Sequence, residues 1–307
     1  MGKDSAISWT HHTFNPWWGC EKVSPACAHC YAETWSKRTG LDSLWKGERR
    51  FFSDKHWNDP IRWNKAAELA GERRRVFCAS MADVFEDREE LIPHRARLFD
   101  LIRRTPNLDW LLLTKRPENI GIHMKQVWHQ ADDTGMSELR TFVKEWLQGT
   151  APANVWIGTT VENQEMAEKR IPSLLKVPAA VHFLSCEPLL GPVDISLFLD
   201  DCNGIPRTPW VICGGESGAH ARPMNPDWAR TLRDQCAAAG VPFHFKQHGE
   251  WCPGAFGTNI PDCLTPEQRA DKRFYHYFDP PGGKTWRVGT QRAGRLLDGV
   301  LHDEFPR

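Results

Sequence analysis

The sequence predicts an α/β fold in which parallel strands form a partial or full (β/α) barrel. Three observations predict this class. Short runs rich in branched and aromatic residues recur along the chain, segments able to form helices separate them, and polar residues follow each run. Strands that alternate with helices imply right-handed crossovers and a parallel sheet. At 307 residues, the chain is long enough for one such domain with appendages.

Six segments have the composition of buried parallel strands. They are residues 75–80, 109–114, 154–160, 180–186, 209–215 and 242–247. Three segments between them, 89–104, 162–176 and 225–240, are suited to helices. In the last of these, Asn225 before Pro226 predicts an N-terminal cap and a first-turn proline, and Gly240 predicts the C-terminal end.

The domain organisation follows from the spacing of these segments. We expect the barrel to span residues 1–250, with an insertion near 120–150 that lengthens one connection. Residues 251–307 lie beyond the last predicted strand and are expected to form a C-terminal appendage that packs on the barrel.

Charge and hydropathy exclude some classes of protein. The chain has 39 basic and 39 acidic residues, so it has no overall field that would attract nucleic acid or anionic lipid. Any contact with DNA would have to be made by a local cluster of basic residues. The basic runs at 46–50 and 72–76 are candidates, although solvated surfaces have the same composition.

No apolar run is long enough to span a membrane and no secretory signal is evident. We therefore expect a cytoplasmic protein, in the host cytoplasm if viral, with no membrane partner.

Three of the ten cysteines are clustered in one segment. Cys20, Cys27 and Cys30 have the spacing C-x6-C-x2-C, and the other seven are scattered. Structural zinc normally has four protein ligands, so a zinc site would need a histidine such as His29. A cubane iron–sulfur cluster held by three thiolates would instead keep one iron open to a ligand that is not protein. Both interpretations remain open at this point.

Polar residues follow the predicted strands. The groups are Ser80 to Asp83, Thr114 to Arg116, Thr159 to Glu162, Ser185 to Glu187, Gly214 to Ser217 and Lys246 to His248. In α/β barrels the carboxyl ends of the strands build the site, so we expect these groups to converge on one mouth.

The segment NPWWGCEKVSPACAHCYAE, residues 15–33, resembles the cluster-binding loop of radical S-adenosylmethionine enzymes, with Tyr31 as the aromatic residue after the last cysteine. Its spacing departs from the commonest C-x3-C-x2-C by three residues. The chain from near residue 9 to near residue 300 resembles a phage-associated family of this superfamily. The matching stretches are SMADVFED, LLLTKRPENI, NVWIGTTVENQ, FLSCEPLLGPVDIS, WVICGGESGAHARPM, PFHFKQHGEW and RVGTQRAGRLLDG.

This resemblance implies a barrel of radical S-adenosylmethionine type with an N-terminal cluster loop. It also implies a [4Fe-4S] cluster on Cys20, Cys27 and Cys30, S-adenosylmethionine on the open iron, and an external electron donor. The implied cofactor-binding residues are Ser80, Asp83, Lys115, Thr160, Glu187, Gly214, Gly215 and Glu216.

The roles of these residues follow from their positions. Ser80 and Asp83 stand where the superfamily often has a G-G-E stretch that holds the methionyl amine. The sequence GGES itself occurs at residues 214–217, four strands later. At that position it is expected to line the side of the site that faces the ribose of the cofactor or the substrate. Glu187, and Lys115 with Arg116, are candidates for contacts to the cofactor carboxylate or a substrate phosphate. No catalytic residue is predicted.

The resemblance also suggests a substrate. We expect an isomerase that acts on an amino-acid (glycyl) adduct of thymine during hypermodification of viral DNA, with DNA or a modified thymidine nucleotide as its partner. This expectation depends on the family resemblance alone. One alternative is a photoproduct-lyase-like enzyme that repairs pyrimidines. The other is a non-catalytic phage protein stabilised by zinc.

Overall fold

A computed structural model describes residues 4–199, 210–253, 264–278 and 283–306. The strands are β1 (His12–Thr13), β2 (Trp17–Trp18), β3 (Arg50–Phe51), β4 (Arg74–Cys78), β5 (Leu108–Thr114), β6 (Val155–Thr160), β7 (Val181–Cys186), β8 (Trp210–Gly214), β9 (Phe243–Gln247), β10 (Trp251–Pro253), β11 (Tyr275–Phe278), β12 (Gly283–Arg287), β13 (Leu296–Leu297) and β14 (Val300–Leu301). The helices are α1 (Tyr31–Arg38), α2 (Asp54–Trp57), α3 (Asp59–Ala70), α4 (Ile92–Arg103), α5 (Ile120–Asp133), α6 (Ser137–Leu147), α7 (Gln164–Leu174), α8 (Ser196–Leu199), α9 (Pro226–Ala239), α10 (Pro266–Ala270) and α11 (Thr290–Ala293).

Seven strands form the main sheet, in the order β1-β4-β5-β6-β7-β8-β9. The pairs β1–β4, β4–β5, β5–β6 and β8–β9 are parallel. In the part of the chain that the structure describes, β1 and β9 are not hydrogen-bonded to each other, so the sheet is open. The predicted α/β class is confirmed, in the partial rather than the closed form of the barrel.

The six predicted strands correspond to β4 to β9, and their bounds agree to within two residues. Position 209, the predicted start of β8, lies outside the described residues. Strand β1 was not predicted because it has only two residues, His12 and Thr13, too few for a hydrophobic run. Its register is set by pairing of these residues with Val76 and Phe77 in β4.

The three predicted helices correspond to α4, α7 and α9. The ends of α9 have the expected chemistry. The Asn225 side chain accepts a hydrogen bond from Asp227 N, and Gly240 adopts a left-handed conformation with φ 65°. The region 120–150 forms the helices α5 and α6, which pack against each other and against α4. Their apolar faces bury residues such as Val127 and Trp146.

The chain forms two compact units. One comprises the described residues up to Ser24 with Ala32–Thr159 and Lys169–Phe183, and the other comprises Pro25–Tyr31, Thr160–Glu168 and the described residues from Leu184 onward. In the second unit β10, β12 and β11 form an antiparallel sheet, and β13 pairs with β14. The barrel-and-appendage boundary at residue 250 stays a prediction. Among the described residues, no helix is both long and apolar enough to cross a membrane.

Candidate functional site

The backbone that leads into the first cysteine is fixed by a glycine. Gly19 has φ 112°, and a Cβ atom there would lie 2.7 Å from the Leu44 carbonyl oxygen and 2.8 Å from that of Glu48. Gly19 N donates to the Met81 carbonyl oxygen over 3.0 Å, so the residue is held from two sides. Both the positive φ and the close backbone contacts exclude a side chain at this position. Cys20 therefore projects from a constrained point of the chain.

Cys20 lies beside a buried ion pair. Arg116 Nη1 is 3.9 Å from Cys20 Sγ and 2.9 Å from Asp83 Oδ2, and Arg116 Nη2 donates to the Glu21 carbonyl oxygen over 2.8 Å. Burial and the nearby Asp83 carboxylate raise the pKa of Cys20 to about 12, although the Arg116 guanidinium acts in the opposite direction. Without a metal this group is a thiol at neutral pH, and metal binding would have to displace its proton.

Asp83 is the centre of this cluster. Its carboxylate accepts hydrogen bonds from Thr114 Oγ1 (2.7 Å), Lys115 N (3.0 Å) and Arg116 Nη1 (2.9 Å), and also from Phe85 N (3.0 Å). Burial alone would raise the pKa of Asp83, but Arg116 and these hydrogen bonds hold it below the ordinary value. The four donors use the acceptor capacity of the carboxylate, so a cofactor ammonium group at Asp83 would have to displace one of them.

Ser80 is joined to the segment that follows β1. Asn15 Nδ2 donates to Ser80 Oγ over 3.0 Å, and Asn15 Oδ1 accepts from Met81 N over 2.7 Å. Asn15 is only 2% exposed. This amide connects the ends of β1 and β4, five residues before Cys20.

A second ion pair lies close to Gly19. Arg49 Nε is 3.0 Å from Glu86 Oε2, Arg49 Nη2 contacts the other carboxylate oxygen, and the two side chains are 1% and 2% exposed. Arg49 Nη1 also donates to the carbonyl oxygens of Leu44 and Glu48, which are the same oxygens that approach Gly19. Arg49 therefore positions the two carbonyls that define the space around Gly19.

Cys27 and Cys30 belong to the second unit together with the segment around them. Cys27 ends a 3₁₀ turn, and Cys30 precedes α1. Between them His29 Nδ1 lies 3.2 Å from Glu216 Oε2. Glu216, the glutamate of the GGES stretch, thus contacts the segment that holds the two cysteines.

Arg222 completes this contact. Its Nε and Nη2 atoms lie 2.8 and 2.5 Å from the two carboxylate oxygens of Glu216, and Nη2 also donates to the Pro25 carbonyl oxygen over 3.1 Å. Burial would raise the pKa of Glu216, but the hydrogen bonds from Arg222 and His29 lower it, so the carboxylate is charged at neutral pH. Glu216 and Arg222 together fasten residues 25–29 in the second unit.

The two glycines of the GGES stretch leave room for neighbouring groups. A Cβ atom at Gly214 would lie 2.6 Å from Glu187 Oε1, and one at Gly215 would overlap the His248 carbonyl oxygen. Glu187 is in turn 3.3 Å from Lys246 Nζ. The overlap with a backbone carbonyl oxygen requires glycine at position 215, whereas a Cβ atom at position 214 would meet only the mobile end of the Glu187 side chain.

The remaining predicted residues differ in exposure. Thr160 is buried at 1% exposure, at the end of β6. Lys115 is half-buried, and its ammonium group makes no ion pair with the residues that the structure describes. Lys115 is therefore the predicted basic group most available to a ligand.

The donor chemistry of the three cysteines fits a thiolate-bound cluster. They are half-buried and form no disulfide within the described chain, whereas Cys202 and Cys263 lie outside the described residues. Soft sulfur donors suit iron–sulfur clusters or zinc rather than hard cations such as Mg²⁺. Among the described residues, no three or more His, Cys, Asp or Glu side chains are arranged so that they could hold a metal ion together.

Sequence reasoning found the cysteines, Asp83 and Glu216 but not the residues that hold them. Arg49 lies in the basic run 46–50, a composition that solvated surfaces share. Arg222, Glu86 and Asn15 lie in stretches that carry the family resemblance, but nothing in these stretches indicates the hydrogen bonds that their side chains make.

The chain is similar to two solved structures, each a single-residue variant of spore photoproduct lyase. The first has 13% sequence identity and a TM-score of 0.45, with 97% of this chain and 74% of that chain covered. The second has 12% identity and a TM-score of 0.43, with 94% and 71% covered. No curated protein sequence matches the chain. A family model described as "Protein of unknown function (DUF5131)" matches residues 4–306, and the chain therefore belongs to this family.

Proposed function

We propose that this protein is a radical S-adenosylmethionine enzyme. The observation that carries the proposal is the set of three thiols, Cys20, Cys27 and Cys30, within eleven consecutive residues and without a fourth cysteine nearby. Three protein ligands suit a cubane cluster with one iron available to the cofactor better than a closed four-ligand zinc site. When bound, the [4Fe-4S] cluster and S-adenosylmethionine supply a 5′-deoxyadenosyl radical from an electron delivered by an external donor.

The chain's own residues have binding and positioning roles in this proposal. Gly19 and Arg49 fix the backbone before Cys20, and Arg116 places a positive charge beside its sulfur. Hydrogen bonds and charge near cluster sulfurs tune the reduction potential of iron–sulfur proteins. Arg116 is accordingly assigned to stabilising the thiolate of Cys20, and Asp83 to orienting Arg116.

The cofactor itself is assigned to the residues that follow the strands. Ser80 and Asp83 are proposed for the methionyl amine, which would replace one of the four present donors to Asp83. Lys115 is proposed for the cofactor carboxylate or a substrate phosphate, and Glu187 for the same group by way of Lys246, whose Nζ lies 3.3 Å from its carboxylate. Gly214, Gly215, Glu216 and Thr160 are proposed for the ribose or substrate side. Lys115 supports this assignment because its ammonium group is not used within the described chain.

For the substrate we propose a glycyl adduct on the methyl group of thymine in DNA. The reaction would transfer the bond to this methyl group from the nitrogen to the α-carbon of the adduct. This is an isomerisation, so no atom is gained or lost. A photoproduct-lyase-like repair reaction uses the same cofactor and the same class of substrate, and the assay below separates the two.

The first experiment measures metal content. After anaerobic reconstitution, the wild-type chain is expected to bind about four iron and four sulfide ions. Cys20→Ala, Cys27→Ala and Cys30→Ala should each lose most of this iron. Cys252→Ala, a half-buried cysteine far from this segment in sequence, is the matched control and should retain it. Stoichiometric zinc without sulfide, or equal loss in all four variants, would refute the proposal.

The second experiment identifies the substrate. The reconstituted enzyme, S-adenosylmethionine and dithionite are incubated either with DNA that contains the glycyl-thymine adduct or with irradiated DNA, and the nucleosides are analysed by mass spectrometry. An adduct of unchanged mass and new retention time supports isomerisation. Recovery of thymidine from irradiated DNA, without any change in the adduct, would assign the repair reaction instead.

A further inference from the structure

A cavity of about 460 Å³ lies in the second unit beside β12, α10 and α11. Its volume is in the range of sites for small ligands. Three arginines, Arg273, Arg287 and Arg292, line it together with one carboxylate, Glu250. We call this cavity the arginine pocket.

Much of the hydrogen-bonding capacity of these arginines is unused. Arg287 Nη2 donates to the carbonyl oxygens of Gly218 and Ala219, at 3.3 and 2.5 Å, which leaves its other nitrogen atoms. Arg273 uses Nε and Nη2 for Asp271. The guanidinium of Arg292 makes no hydrogen bond or ion pair within the part of the chain that the structure describes, and the residue is exposed.

The carboxylate in the pocket does not cancel this charge. Glu250 Oε1 accepts hydrogen bonds from Gly218 N over 3.0 Å and from Thr290 Oγ1 over 2.8 Å. Among the described residues that line the pocket, three guanidinium groups face one carboxylate, Glu250, and Asp271 pairs with Arg273, so a positive charge remains. In a chain of zero net charge, this is a local electropositive site.

We propose that the arginine pocket binds a backbone phosphate of a single-stranded DNA segment. Guanidinium groups match phosphate oxygens in geometry and charge, and they bind them in a bidentate manner that an ammonium group does not provide. That DNA is the source of the phosphate rests on the proposed function, whereas the preference of the pocket for phosphate does not.

The strands beside the pocket favour a nucleic acid over a free phosphate. Lys284 Nζ lies 3.8 Å from the ring centre of Tyr275 and 3.9 Å from that of Trp286. Tyr277 is paired with Lys284 across β11 and β12, and it is 65% exposed. Tyr277 therefore presents an exposed ring beside a cation, the kind of surface on which an unpaired base stacks.

The test measures DNA binding by the full-length protein purified without iron, by fluorescence anisotropy of a labelled single-stranded oligonucleotide. Arg292→Ala is the main variant because this side chain holds nothing else in place. We expect an affinity about tenfold weaker, and a slope of log Kd against log salt that is smaller by about 0.7. Arg104→Ala removes another exposed guanidinium, at the end of α4, and should bind like the wild type.

Other outcomes decide against the proposal. Unchanged affinity and salt slope in both Arg292→Ala and Arg292→Glu would overturn it. If thymidine monophosphate binds as tightly as the oligonucleotide and with the same dependence on Arg292, a free nucleotide replaces the strand as the source of the phosphate.

The iron and sulfide contents of Arg292→Ala should equal those of the wild type after reconstitution. Loss of DNA binding with normal metal content supports the pocket, whereas a failure of metal loading in the wild-type protein counts against the proposed function alone.

Discussion

Replacing Arg49 by methionine is expected to destabilise the protein strongly. The Arg49 and Glu86 side chains are 1% and 2% exposed, so removal of the guanidinium leaves a buried carboxylate without its counter-charge. Breaking a buried ion pair in this way costs about 3 to 5 kcal/mol. The substitution also leaves the carbonyl oxygens of Leu44 and Glu48 without the Arg49 donor. Because domains are stable by only about 5 to 15 kcal/mol, this loss is a large share of the total.

A double-mutant cycle separates the interaction free energy of the Arg49–Glu86 ion pair from the free energy lost through poorer packing. Glu86→Leu alone leaves the buried guanidinium uncompensated and is expected to cost a similar free energy. In Arg49→Met combined with Glu86→Leu both charges are absent, so the double variant should be more stable than the sum of the single changes predicts, by about 2 kcal/mol or more.

The assay is urea unfolding at pH 7, followed by tryptophan fluorescence. The buried Trp17 and Trp110 are suitable reporters of the first unit, to which Arg49 and Glu86 also belong. Additive costs in the double variant, or a loss below 1 kcal/mol in Arg49→Met, would show that the pair does not stabilise the region around Gly19.

Two further predictions concern single residues. Burial, together with the Arg95 cation, lowers the pKa of His123 to about 4, against the opposing effect of Asp87. Because the unfolded chain binds a proton near pH 6.5 and the native chain does not, stability should fall between pH 6.5 and 4, by up to about 3 kcal/mol, and level off below. Urea titrations should show a weaker decline in His123→Leu, and an equal decline would contradict the assignment. Gly19→Ala should lower both the melting temperature and iron binding, because its Cβ would overlap two carbonyls at a φ of 112°. The matched control Gly121→Ala, in the open and helical α5, should be neutral or stabilising, so equal losses in both variants would refute this explanation.

The sheet was predictable because β5, β6 and β8 are almost wholly buried and read as largely apolar runs, and because β4, β7 and β9 each contain a shorter buried stretch with apolar residues. Strand β1 has two residues, and its pairing is specified by β4 rather than by its own composition. The helices α5 and α6 have amphipathic patterns, but the length of the connection gave no indication of how they pack. Local composition thus predicts the individual strands and helices. The pairing of the strands and the packing of the helices depend on residues that are distant in the sequence.

In the candidate site, too, local sequence indicates some residues but not the distant residues that contact them. The spacing of Cys20, Cys27 and Cys30 is local, so the sequence indicates the thiol set directly. The groups that hold these residues come from far along the chain, such as Arg116 for Cys20 and Glu216 for His29. A charged residue that is exposed and one that is buried in an ion pair look the same in a sequence, because the difference is made by the partner.

The hydrogen bond from Arg222 to the Pro25 carbonyl joins residues 197 positions apart in the sequence. A nascent chain on the ribosome therefore exposes Cys27 and Cys30 long before Glu216 and Arg222 have been synthesised. Because the second unit can close around residues 25–29 only after the C-terminal half has emerged, we expect insertion of the proposed cluster to be post-translational. Truncated products that end before Glu216 would carry thiols that are open to oxidation and to the wrong metals.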